Sequence, residues 1–331
     1  MGVRTGEREH EGGGARLASD KPRAAGSHWP RIVSGGAIAG SALVVVVTSW
    51  SALLANSLAY PLVVLAALVC GVLLVVTGVR SRSRAVTGVF GSLLRLLAMI
   101  GAFGLAIGVL VLRPYVATPV ALEALTSDEA VTITDTRART TYEPARDQGA
   151  SLVLYPGARV DPRAYAVLAR GIAEEGHRVV VLKCPFDIAF LCPLPPDPAL
   201  TSDGPWVLAG HSLGGVVASQ VADGEVSTAD GLVFWASYPL PDLSSRDDLS
   251  VASILGERDS LTTVRDVTSR KDLLPTDTAY TLIPGAVHSY FGDYGDQPRD
   301  GEPTVDRDDA QAEIIQATVA ALRETTASGP R

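Results

Sequence analysis

The sequence predicts a mostly parallel α/β domain preceded by a helical membrane region of about three helices. Three observations carry this. From about Thr126 onward, strand-like apolar runs alternate with helical segments, the pattern of a parallel sheet covered on both faces. Within that alternation, Gly210-His211-Ser212-Leu213-Gly214-Gly215 makes a tight turn between an apolar run and a helix. The first third of the chain holds apolar stretches without charge, long enough to cross a bilayer.

Residues 1–31 are rich in Gly, Arg, Glu and Ser and poor in aliphatics. Such a segment buries too little surface to offset its ordering entropy, so a disordered tail is expected. From Ile32 to Val79 no residue is charged, which is room for two spans of about 20 residues. The break falls at Asn56-Ser57-Leu58-Ala59-Tyr60-Pro61, where proline is tolerated in the first turn of the second helix. A third apolar stretch from Val86 to Leu112 is interrupted only by Arg95, whose long side chain can snorkel to the interface. The expected spans are about 32–55, 60–79 and 92–112, within a membrane region at 32–113. Gly36/Gly40 and Gly104/Gly108 are small-residue pairs that permit close helix approach, or simply reflect the glycine content of membrane helices. Lys21, Arg23 and Arg31 precede the first span, and Arg80, Arg82 and Arg84 separate the second from the third. The positive-inside rule then places the N-terminus in the cytoplasm, and three spans put everything after Arg113 outside, as a multi-pass protein of the cell membrane.

The net charge of −8 comes without a basic cluster on the second half, so nucleic-acid binding has no electrostatic footprint. Cys70, Cys184 and Cys192 show no zinc-ligand spacing. Cys184 and Cys192 are either a local disulfide permitted by an oxidising exterior or two buried thiols. Asp293, Asp296, Asp300 and Glu302 lack EF-hand spacing, so an ordered loop bracing His288 is expected there and no metal. No cofactor is expected, and the oligomeric state stays open.

After a linker at 114–128, the domain is expected over 129–325. Val131, Ile133 and Thr141-Tyr142 suggest an opening pair of strands. Ser151–Tyr155 reads as a buried strand ending at Pro156-Gly157. Asp161-Pro162 caps a helix whose apolar face carries Tyr165, Leu168 and Ile172, ending at Gly176. Further strands are expected at Arg178–Leu182, Trp206–Ala209, Leu232–Ala236, Val251–Leu255 and Tyr280–Ile283, with a last helix at about Ala310–Leu322.

The Gly-x-Ser-x-Gly turn holds a serine at a helix N-terminus with its hydroxyl exposed. A serine hydroxyl needs a base within reach and a carboxylate to orient that base. Of five histidines, His10 and His28 lie in the tail, His177 opens a strand where a surface role is expected, and His211 sits inside the turn pointing away. His288, directly after the last strand, is the base. Asp259, just past the penultimate strand, is the acid, with Glu257 in reserve. The oxyanion of acyl transfer needs backbone donors, expected from the N–H of Leu213 and of Ala158.

Residues from about Ala130 to Leu322 resemble the α/β-hydrolase superfamily, specifically its compact bacterial esterase/lipase-like members. The resemblance rests on Tyr155-Pro156-Gly157-Ala158, the Gly210–Gly215 elbow, Gly256-Glu257-Arg258-Asp259, and the run from Gly285 to Gly295 around His288. The order Ser212, Asp259, His288 is the order of that family. Pro156 departs from the pattern, standing where many members have histidine. The resemblance implies an α/β-hydrolase fold and a membrane-anchored serine hydrolase that cleaves a small-molecule or lipid-like carboxylic ester through an acyl-enzyme. A thioesterase, other hydrolase chemistry of this fold, or an inactive extracytoplasmic binding or scaffold module are the alternatives. The connection from Tyr238 to Ser250 is too short for a helical lid. Residues 185–204, with Phe186, are expected to form a partial apolar wall, favouring an open site and a small or medium acyl group. Arg159, Phe186 and Tyr238 are the candidate substrate contacts, with a solvated loop as the alternative for Arg159.

Overall fold

The computed structural model describes residue 2 and residues 28–80, 88–192, 204–224 and 227–328. The N-terminal tail, the Arg82–Arg84 loop and most of the Pro-rich part of the 185–204 wall lie outside the described residues.

Three long apolar helices open the chain: α1 (Trp29–Ala55), α2 (Ala59–Arg80) and α3 (Val89–Val111). Each is long and apolar enough to cross a membrane, which supports association with one. Pro30 and Pro61 sit in the first turns of α1 and α2, where no intrahelical donor is lost. Arg95 reaches back one turn, its guanidinium donating to Gly91 O (2.9 Å) and Ser92 Oγ (3.2 Å). The close helix approach does not use Gly36/Gly40 or Gly104/Gly108, all four of which face open space. It uses Gly35 and Gly71, where an added Cβ would meet backbone of the other helix at 2.5–2.7 Å. Successive residues on a helix point about 100° apart, so Gly35 and Gly36 cannot both face α2.

The globular domain is built on one eight-stranded sheet: β1 (Val131–Asp135), β2 (Arg139–Pro144), β3 (Ser151–Tyr155), β4 (Val179–Leu182), β5 (Trp206–His211), β6 (Gly231–Trp235), β7 (Ser250–Gly256) and β8 (Ala279–Ile283). The spatial order is β1-β2-β4-β3-β5-β6-β7-β8. β1 and β2 pair antiparallel, β2 meets β4 antiparallel, and every pair beyond is parallel. The central strands β3, β4, β5 and β6 are buried at every position, as a sheet covered on both faces requires. This is the α/β-hydrolase fold.

One face is covered by α5 (Ala166–Glu174) and α8 (Arg307–Ser328), the other by α6 (Leu213–Asp223). Asp161 caps the turn leading into α5, accepting from Arg163 N, and Pro162 takes the first position. Tyr165, Leu168 and Ile172 are fully buried beneath it. The 114–128 segment is not a free linker. It carries α4 (Pro119–Glu123), Tyr115 bridges to Val160, and Ala117 and Ala121 enter the main core. The small side chains of Ala117, ahead of the helix, and Ala121, within it, are buried against the domain.

The helical bundle and the domain meet at the carboxyl edge of the sheet. Lys183, just after β4, donates to Ala55 O at the end of α1 (2.8 Å) and pairs with Asp135 (2.7 Å). Arg159 donates to Val111 O at the end of α3. Both cations sit on helix C-termini, where the unsatisfied carbonyls concentrate negative potential. Between them Asn56 donates to Asp161 Oδ1 (3.2 Å), Arg137 to Asn56 O (3.3 Å), and Arg163, paired with Asp161, to Ser51 Oγ (3.2 Å). Phe186 packs edge-on against Tyr60 in the first turn of α2, ring centroids 5.9 Å apart.

Candidate active site

β5 ends in a turn whose backbone permits no side chain where its glycines stand. A Cβ on Gly210 would lie 2.1 Å from Gly214 C, one on Gly214 2.1 Å from Tyr155 O, and one on Gly215 2.4 Å from Ser237 Oγ. Ser212 between them has φ 52° and ψ −120°, a conformation costly for a residue with a Cβ. It is held by Ser212 N donating to Trp235 O (2.9 Å) and Ser237 Oγ donating to Ser212 O (2.6 Å). Ser212 is half-buried at the N-terminus of α6.

His288 follows β8 at the start of a short 3-10 turn, His288–Phe291. Its Nδ1 lies 2.7 Å from Asp259 Oδ2, and both residues are buried. The other carboxylate oxygen of Asp259 accepts from Leu261 N (2.8 Å) and Thr262 N (2.7 Å), so the carboxylate is fixed from both sides. With Nδ1–H donated to Asp259, the Nε2 lone pair of His288 is left for another donor. The His288 ring lies against that of His211, the residue before Ser212, with centroids 4.7 Å apart. Asp300 accepts from His288 N (3.1 Å) and Ser289 N (2.8 Å), bracing the loop from the acidic segment. Glu257 is engaged elsewhere, accepting from Gly285 N (2.9 Å).

Neither Leu213 N–H nor Ala158 N–H has an acceptor among the described residues. Gly157 N–H does: it donates to Tyr165 Oη (2.8 Å), which lies 3.0 Å from His211 Nδ1. The phenol accepts from Gly157, whose amide can only donate, and gives its own proton to His211. Burial, and then His288 beside it, push His211 well below its ordinary pKa, so His211 is neutral. The chain Gly157–Tyr165–His211 ties the Pro156–Arg159 turn to the floor of the elbow.

Residues 151–312 match the model of the alpha/beta hydrolase family. The globular domain has the α/β-hydrolase fold and is similar to this family. Among solved structures, the crystal structure of MGS-M1, an alpha/beta hydrolase enzyme from a Medee basin deep-sea metagenome library, is similar at 13% identity and a TM-score of 0.41, over 60% of this chain and 99% of that one. No curated protein sequence matches the chain. The match supports hydrolase activity.

Within this fold, Ser212, Asp259, His288, Leu213 and Ala158 all fall at the carboxyl edge of the sheet. The side chains of the three candidate substrate contacts each have another partner. Arg159 has its guanidinium on Val111 O and on Tyr115 Oη (3.2 Å). Phe186 is turned into the helical bundle. Tyr238 is half-buried, its ring covered by the Arg270 guanidinium at 4.0 Å. Cys184 and Cys192 form a disulfide, with Cα atoms 4.7 Å apart. His177 is fully buried rather than at the surface, its Nδ1 3.0 Å from Ala150 O. Sequence reading missed Tyr165 and His211 as braces. The signal for Tyr165 was its place on an apolar helix face, since a buried phenol needs a polar partner.

Five of the described non-glycine residues with left-handed backbone, Arg159 (φ 61°), Phe186 (58°), Asp187 (53°), Ser212 (52°) and Ala236 (45°), lie on loops at this edge. Strain of this kind persists only where surrounding structure over-determines it. Asp187 O accepts Arg159 N (2.7 Å), joining the turn that carries Ala158 to the loop that holds Phe186.

Proposed function

We propose that the chain is a membrane-anchored serine hydrolase that cleaves carboxylic esters through an acyl-enzyme. The observation that carries this reading is the His288–Asp259 pair, 2.7 Å apart, with the imidazole laid against the residue preceding a strained serine. Ser212 Oγ attacks the ester carbonyl carbon as its proton passes to His288 Nε2. Asp259 holds the imidazole in the tautomer that accepts there and stabilises the imidazolium. The carbonyl oxygen becomes an oxyanion held by Leu213 N–H and Ala158 N–H, each such donor contributing about 10²–10³ in rate. The tetrahedral adduct collapses, the C–O bond breaks, and the alcohol leaves with the proton from His288. Water then gives His288 its proton, attacks the acyl carbon and frees the acid and Ser212. Every step is done by side chains and amides of this chain, so the reading needs no cofactor.

The domain stands outside the cytoplasm in this reading. Three helices support it, because α1 and α3 then end on the side where the domain sits, opposite Arg31 and Arg80. A disulfide at Cys184–Cys192 fits an oxidising compartment.

A fluorophosphonate probe tests the chemistry: labelling of wild type and none of Ser212→Ala is expected, and equal labelling of both sinks the serine mechanism. Protease added to intact cells tests the topology: the region after Arg113 is expected to be cut, and its protection overturns the outward placement.

A further inference from the structure

The carboxyl edge of the sheet, where Ser212 sits, is pressed against the end of the apolar bundle. Ala158 is followed by Arg159, whose guanidinium reaches Val111 O in the last turn of α3. The turn with the second oxyanion amide therefore lies one arginine side chain from a helix end. β4 delivers Lys183 to the last carbonyl of α1 and Phe186 to the first turn of α2. Helix length leaves no stalk between the two parts. At about 1.5 Å per residue, α2 and α3 measure about 33 and 35 Å, close to the hydrocarbon thickness of about 30 Å.

The loop after β4 adds a second, independent observation. It is closed by the Cys184–Cys192 disulfide, which with Ala189 packs in one core cluster with Val217 and Ala218 of α6, the helix that follows the nucleophile. This loop so spans from the bundle to the nucleophile helix. Between its two attachments Phe190 and Leu191 stand 46% and 50% exposed. Four residues of chain reach at most about 14 Å, so Phe190 lies within that distance of Phe186, which is packed on Tyr60. Two adjacent large apolar side chains are thus held out from a disulfide-closed loop beside a membrane helix end. The segment 236–249, where this fold can insert a lid, contains no helix or strand.

We infer that the site opens onto the membrane leaflet and takes its ester from it. The substrate is an acyl ester of a bilayer-resident lipid, and Phe190 and Leu191 seat in the leaflet beside the entrance. This rests on the serine-hydrolase reading above and replaces a freely diffusing small ester with a lipid one.

The test uses the full-length protein in vesicles of ether-linked phosphatidylcholine, which contain no ester of their own. Two fluorogenic substrates with the same leaving group are compared: 4-methylumbelliferyl palmitate embedded in the vesicles and 4-methylumbelliferyl butyrate in the water. Wild type is expected to turn over both. The double variant Phe190→Ser/Leu191→Ser is expected to lose about tenfold on the palmitate, from lost apolar contact with lipid, and to keep butyrate turnover and fluorophosphonate labelling. An unchanged palmitate rate, or equal loss on both esters, overturns the inference. So does a wild type that is labelled and cleaves butyrate but not the embedded palmitate, which leaves the serine-hydrolase reading standing. If wild type is neither labelled nor active on either ester, that reading fails and the inference with it. As a measurement independent of turnover, Phe190→Trp in vesicles of brominated lipid should add quenchable fluorescence over wild type. No added quenching overturns the seating of this loop in the leaflet.

Discussion

Gly214→Ala puts the construction of the elbow to a quantitative test. The new methyl would lie 2.1 Å from Tyr155 O and 2.7 Å from Pro156 O. Both are backbone atoms at the end of β3, so no rotamer change relieves the contact. Ordinary van der Waals contact begins near 3.4 Å, and opening 2.1 Å to that distance moves the turn or the elbow by about 1.3 Å. The atoms that move lead directly into Gly157 and Ala158. A misplacement of about 1 Å in a reacting constellation costs about 10²-fold, and overpacking costs about 1–3 kcal/mol of stability. The expected result is a fall in kcat of about 10²-fold on a water-soluble ester with KM little changed, and a melting temperature lower by several degrees. Gly224→Ala is the matched control, because its φ is −66° and its nearest neighbour, Val221 O, stands 3.2 Å away. Steady-state kinetics and thermal unfolding of both variants decide the matter. A Gly214→Ala enzyme with kinetics indistinguishable from those of Gly224→Ala would refute the placement of this turn against the elbow.

Three further outcomes are expected. Asp259→Asn should lower kcat about 10⁴-fold by turning the imidazole to the wrong tautomer, whereas Glu257→Gln, whose carboxylate caps Gly285 N, should leave turnover almost intact; equal effects would reassign the acid. His211 and His177 are both held below the usual 6.5, chiefly by burial. The unfolded chain therefore takes up protons that the fold refuses, so stability is level above pH 6.5 and falls as the pH drops through it, by up to about 1.4 kcal/mol per pH unit for each histidine. Denaturant midpoints between pH 8 and 5 check the slope, which His211→Gln should flatten. Cys184→Ser opens a short loop, expected to cost about 2–3 kcal/mol. It also loosens the residue whose carbonyl accepts Arg159 N, so kcat should fall; thiol titration of the denatured wild type should find one thiol, Cys70, without reductant and three after reduction.

What was legible in the chain was whatever chemistry is local. The turn at Ser212 was legible because it is written in six consecutive residues, and the strand before it and the helix after it are continuous in sequence. Helix lengths were legible because nothing but lipid or core accepts a long stretch without charge. His288 and Asp259 came from position relative to strand ends, which chain order preserves. The junction was not legible. Arg159 reads as a loop arginine and Phe186 as a wall residue until Val111 and Tyr60 are brought to them from 48 and 126 residues away. His177 looked exposed beside Arg178 because its partner, Ala150 O, is 27 residues upstream. The glycine pairs stayed undecided between close packing and mere glycine content for a simpler reason: a four-residue spacing marks a face without saying what lies opposite.

Lys183 reaches a carbonyl made 128 residues before it, and Arg159 one made 48 before. Chains fold as they are synthesised, N-terminal parts first. The ends of α1 and α3 so wait, with open carbonyls, for cations that arrive only when β3 and β4 do. Assembly of the helical bundle is completed by the globular domain, and the domain's edge takes shape against the bundle. A version clipped at Arg113 to make it water-soluble would leave Lys183, Arg159 and Phe186 reaching for a surface that had been cut away, and producing one calls for redesign of that edge rather than scissors alone.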